Sequence, residues 1–114
     1  MDIDIQLKLS AQRALLGAIT DGLRAVSVQA NGNLIKWRCI FASQVAKEEH
    51  WETLSVAAAE LIADFCEPYT IEEEYLVNQF CDPENFKPNN LDHLKNLVFM
   101  RQERESYPEI KINR

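Results

Sequence analysis

The chain has 114 residues, a formal net charge of −6 and 46% apolar residues, with only three glycines and four prolines. That length suits one domain with its own core, and so few chain-breaking residues exclude a low-complexity or disordered chain. No apolar run approaches the roughly 20 residues of a membrane span, and the acidic start Met1-Asp2-Ile3-Asp4-Ile5 lacks the layout of a signal peptide, so the cytoplasm is the expected compartment.

The first element is ambiguous. Ile3, Ile5, Leu7 and Leu9 alternate as in a strand, whereas Ile5, Leu9, Leu16 and Ile19 fall near one helical face. The alanines at 11, 14 and 18 favour helix, which is expected over residues 4–18, with Asp2 or Asp4 as cap and Thr20-Asp21-Gly22 as its end. Leu23 to Ala30 then alternates as a strand. Asn31-Gly32 is a strong hairpin signal and suits a type I′ turn. Leu34 to Phe41 is the return strand. Ile35, Trp37, Cys39 and Phe41 share one face, and Lys36, Arg38 and Ile40 share the other.

A second helix is expected over residues 47–65, with Trp51, Leu54, Ala58, Leu61, Ile62 and Phe65 on its apolar stripe. Glu48, Glu49 and Glu52 would then fall in its first turns, where the helix dipole favours acids. Glu67-Pro68 stops it. Thr70 to Phe80 reads as a third strand, residues 82–92 as a turn-rich loop, and Leu97-Val98-Phe99-Met100 as the centre of a last strand. The order αββαββ predicts an α+β fold: two hairpins joined by a helix, and two helices packed on one face of a four-stranded, mainly antiparallel sheet. The second sheet face is expected to be largely polar and solvent-exposed. Residues 1–105 form the single domain, and 106–114 a polar C-terminal tail.

Chemical signatures are few. Gly17, Gly22 and Gly32 are isolated, and no phosphate loop or nucleophile elbow occurs. The cysteines, Cys39, Cys66 and Cys81, are odd in number and lack Cys-x-x-Cys spacing, which fits reduced thiols. His50 and His93 have no placed partner for acid–base work. The run Glu72-Glu73-Glu74 places two carboxylates on one side of a strand and one on the other, so a metal-dependent hydrolase is conceivable, but further ligands are not evident. No catalytic residue, metal ligand or cofactor is assigned. Trp37 and Trp51 read first as core residues and second as partner-facing anchors.

Charge is unevenly placed. Residues 48–92 hold twelve acidic residues and one basic residue, Lys87, giving −11 against +5 for the remainder. Such a stretch repels nucleic acid and attracts a basic protein surface. Two plainer accounts compete: the acids solvate a helix and a strand, or they pair with Lys36 and Arg38 across the sheet.

Several strings carry a resemblance: Arg13-Ala14-Leu15-Leu16-Gly17-Ala18-Ile19-Thr20, Leu23-Arg24-Ala25-Val26-Ser27-Val28, Ala59-Glu60-Leu61-Ile62-Ala63-Asp64-Phe65, Ile71-Glu72-Glu73-Glu74 and Leu97-Val98-Phe99-Met100-Arg101-Gln102-Glu103. Together they resemble a group of small bacterial proteins, some of them similar to immunity proteins of contact-dependent inhibition and related polymorphic toxin systems. The resemblance implies a cytosolic, non-enzymatic protein that binds a secreted toxin domain, often a nuclease with a basic surface, and masks its active site. On this reading the partner-binding residues are Asp64, Glu67, Glu72, Glu73, Glu74, Asp82 and Glu84, with the 82–92 loop as a second contact. The partners are a cognate toxin and neither nucleic acid nor membrane. The alternative is a structural or adaptor homodimer pairing through strand edges.

Overall fold

The computed structural model describes residues 2–78 and 93–101 of the chain. The element order is α1 (Ile3–Ala14), β1 (Leu23–Asn31), β2 (Leu34–Phe41), α2 (Gln44–Ile62), β3 (Thr70–Val77) and β4 (Asn96–Met100). The strands form one four-stranded sheet in the order β3-β2-β1-β4. This is the α+β class that the sequence predicts.

β1 and β2 pair antiparallel, with Val28 opposite Trp37 and Asn31 opposite Leu34. The connecting loop is Gly32-Asn33, and only Gly32 takes a positive φ, of 60°. That is the pattern of a type II′ turn, not the type I′ turn expected from Asn31-Gly32. β4 pairs antiparallel with the other side of β1.

The second expected hairpin does not form. β3 lies parallel to β2, with Lys36 opposite Glu72 and Arg38 opposite Glu74. Helix length explains this. The 19 residues of α2 rise about 28 Å. An eight-residue strand spans about 26 Å. The helix therefore returns the chain to the end where β2 began, and β3 must start beside it, as parallel pairs require. β3 and β4 consequently occupy opposite edges.

The helices pack on one sheet face. Leu7, Ala11 and Ala14 of α1 meet Leu54, Ala57, Ala58 and Leu61 of α2, and below them lie Val26, Val28, Ile35, Trp37, Cys39 and Phe41. The small alanines let the two helices approach closely, while Trp37, Phe41, Leu7 and Leu54 are fully buried. Burial of side chains this large contributes roughly 1.5–3 kcal/mol each.

Two helix assignments change. Asp2 caps α1, accepting from the Asp4 amide at 3.2 Å. The helix stops at Ala14, and its buried face is Leu7, Ser10, Ala11 and Ala14. Ile5, Leu9, Leu16 and Ile19 are all exposed. α2 begins at Gln44 because Ser43 Oγ accepts from the Ala46 amide at 3.0 Å. Its first turn holds no acid, so the dipole does not account for Glu48, Glu49 and Glu52.

The sheet face away from the helices is only partly polar. Lys36, Arg38, Glu72 and Glu74 share it, yet Ala25 and Ile40 on that face are buried, with Met100 packed against them. At the same end, the buried Arg24 donates from Nη1 to the Asn78 carbonyl at 3.0 Å. The loop at 82–92, Cys81 and the tail from 106 onward lie outside the described residues.

Candidate protein-binding surface

β3 is an edge strand of eight residues, so its alternate side chains separate onto two faces. Glu72 and Glu74 point away from the helices, toward the register positions of Lys36 and Arg38. Arg38 Nε donates to Glu74 Oε1 at 2.7 Å, and both side chains are partly buried. Glu72 is exposed and makes no ion pair among the described residues, although Lys36 is its cross-strand neighbour.

Glu73 faces the helix layer at the sheet edge. Its Oε1 accepts from Ser55 Oγ at 2.8 Å and from Tyr75 Oη at 2.6 Å. Burial, together with the Glu73 carboxylate, pushes the Tyr75 hydroxyl far above its ordinary value, so it stays a neutral donor. Trp51 of α2 stands edge-on to Tyr75, with ring centroids 5.9 Å apart. Trp51 is nevertheless 41% exposed. Ser55, Glu73 and Tyr75 thus form a hydrogen-bonded brace, and Tyr75 carries the edge contact to the half-exposed Trp51.

The other sequence-selected carboxylates lie elsewhere. Asp64, just past the end of α2, ion-pairs with Arg13 Nη2. The Ser10 hydroxyl, and then the Arg13 guanidinium, hold its carboxyl below the ordinary range. Glu67 is exposed in the α2–β3 loop, next to the cis Glu67-Pro68 bond. Asp82 and Glu84 lie outside the described residues. The structure therefore brings Glu72, Glu73 and Glu74 onto one strand, divides them between its faces, and engages Glu73, Glu74 and Asp64 internally. Among the described residues no group of three His, Cys, Asp or Glu is placed to hold a metal ion.

The sequence reading put Trp51 first in the core. The structure instead leaves it 41% exposed. The signal was available: Trp51 sits among Glu48, Glu49 and Glu52, and a core-facing residue rarely has that many acidic neighbours in a single turn. The Ser55–Glu73 bond had no signal, because it joins residues 18 apart.

An exposed aromatic beside acidic groups is a combination suited to protein recognition. A model of the MafI2 immunity protein family matches residues 4–103, from the first turn of α1 to beyond β4. The chain belongs to the MafI2 immunity protein family. No curated protein matches it. Membership in the MafI2 family implies a cognate toxin as partner. None of the described helices of this MafI2 family member is long and apolar enough to cross a membrane.

Proposed function

We propose that this MafI2 immunity protein is a non-enzymatic inhibitor that binds and neutralises a cognate bacterial toxin domain in the cytoplasm, through the surface where α2 meets β3. Trp51 is the anchor, and the Ser55–Glu73–Tyr75 brace orders it before binding, which lowers the entropy cost of association. Glu73 beside it, with Glu72 on the outer face of the same strand and Glu67 in the α2–β3 loop, supplies negative potential that favours a toxin with a basic surface, acting mainly on association rate and specificity. Asp64 and Glu74, each held by an arginine, contribute less. The free thiols of Cys39 and Cys66 fit a reducing compartment.

The observation that carries this reading is Trp51, exposed on an acidic helix while its ring is fixed against Tyr75. The test is calorimetric titration of the full chain with the toxin domain encoded beside its gene, rendered inactive. Trp51→Ala should weaken binding at least ~30-fold, about 2 kcal/mol, and should abolish growth protection in co-expression. Wild-type affinity in a Trp51→Ala protein that keeps its unfolding midpoint would remove Trp51 as the anchor.

A further inference from the structure

A second feature lies on the opposite flank of α2. Between the end of α1 and α2 runs a groove of about 250 Å³, lined by Leu16, Ala18, Thr53, Val56, Ala57 and Glu60. Its two walls are large apolar side chains turned outward: Leu16 is 79% exposed and Val56 60%. Val56 belongs to an outward stripe of α2 at helical spacing, Val45, Glu49, Glu52, Val56 and Glu60, all exposed. That stripe contains no basic residue. Its acids lie beyond the first turn, so the helix dipole does not explain them. Glu52 and Glu60 take part in no hydrogen bond or ion pair among the described residues.

Charge decides the occupant. A second copy of this chain would bring the same acids to the same groove, within a molecule of net charge −6. Like charges brought together oppose that pairing. A basic segment meets no such opposition. We propose that the groove is a second contact for the cognate toxin. It takes a basic toxin segment whose aliphatic side chain seats between Leu16 and Val56 while a neighbouring lysine or arginine reaches Glu60 and Glu52. This inference rests on the toxin-binding reading above. Small apolar contacts of this kind lower the dissociation rate, and the acids raise the association rate.

The test uses the full chain and the same inactivated toxin domain. A Leu16→Ser/Val56→Ser variant changes only exposed side chains and should keep the wild-type unfolding midpoint while weakening Kd at least ~10-fold. Glu60→Lys should slow association several-fold and flatten its salt dependence. An unchanged Kd in the double variant, beside tight wild-type binding that Trp51→Ala still disrupts, would overturn the groove and leave the Trp51 surface standing. Absence of wild-type binding would overturn both. If the free protein sediments as a dimer that the double variant dissolves, a second copy fills the groove and the inference fails.

Discussion

Arg38 Nε reaches Glu74 Oε1 at 2.7 Å across the parallel β2–β3 pair, whereas Glu72, two residues earlier on the same face, is left exposed opposite Lys36. One strand therefore carries an acid that is structural and an acid that is available. The Arg38–Glu74 pair is partly sheltered, so it lies between the small value of surface ion pairs and the larger one of buried charge-assisted bonds. Glu74→Gln should cost about 1 kcal/mol in urea unfolding, and Glu72→Gln less than about 0.5 kcal/mol. In toxin titration the order should reverse, with Glu72→Gln slowing association more than Glu74→Gln.

The two described cysteines should differ sharply in reactivity. Cys39 is fully buried on the inner sheet face, and burial pushes its thiol well above the ordinary value, so it has almost no thiolate at neutral pH. Cys66 is exposed just beyond α2. Iodoacetamide applied to the native protein at pH 7.5 should label Cys66 and leave Cys39 unmodified until denaturant is added. Peptide mass spectrometry reads both sites in one digest.

Acid should weaken the fold through identifiable carboxylates. Lys95 Nζ donates to Asp4 Oδ2 at 2.8 Å, tying α1 to the start of β4. Hydrogen bonds from Lys95 and Asn96 hold the Asp4 carboxyl below its ordinary 3.8, and Asp64 is lowered by Ser10 and Arg13. Groups lowered in this way stabilise the fold above their unfolded-state value, and that contribution is lost as pH falls through the folded-state value. Lys95 is raised above its ordinary 10.5 by Asp4, so its share is full below that value and is lost as pH climbs past it. Urea midpoints should therefore be level near neutrality and fall below about pH 4. Asp4→Asn should flatten part of the acid limb.

Gly22 is the most constrained of the turn positions. Its φ is +81°, and a Cβ there would lie 2.5 Å from Ala46 Cβ at the start of α2. Gly32 also has a positive φ, of +60°, but open space around it. Left-handed strain alone costs about 1–3 kcal/mol. Gly32→Ala should therefore cost about 1 kcal/mol, and Gly22→Ala about 3 kcal/mol, since the collision adds to the strain. Thermal unfolding of both variants measures the difference.

Much of the fold can be read along the chain wherever a local pattern is also the global one. Ile35, Trp37, Cys39 and Phe41 alternate and are buried, as their period requires. Leu54, Ala58 and Leu61 follow the helical stripe and pack in the core. α1 is where the pattern misleads: two apolar stripes compete, and the face with alanines is buried because it fits against α2, leaving Leu9 and Leu16 outside. The candidate site is only half legible, because Trp51 and the glutamate run stand in the sequence while their brace does not.

Composition, charge segregation and periodicity determined by themselves an acidic α+β domain with two helices over one four-stranded sheet. These properties belong to single residues and their near neighbours. Tertiary structure alone decided that β3 joins β2 in parallel, that Arg38 neutralises Glu74, and that Ser55 and Tyr75 hold Glu73 while Tyr75 meets Trp51 edge-on. Those are contacts between segments distant in sequence, set by how far a helix carries the chain and by which faces fit closely enough to exclude water.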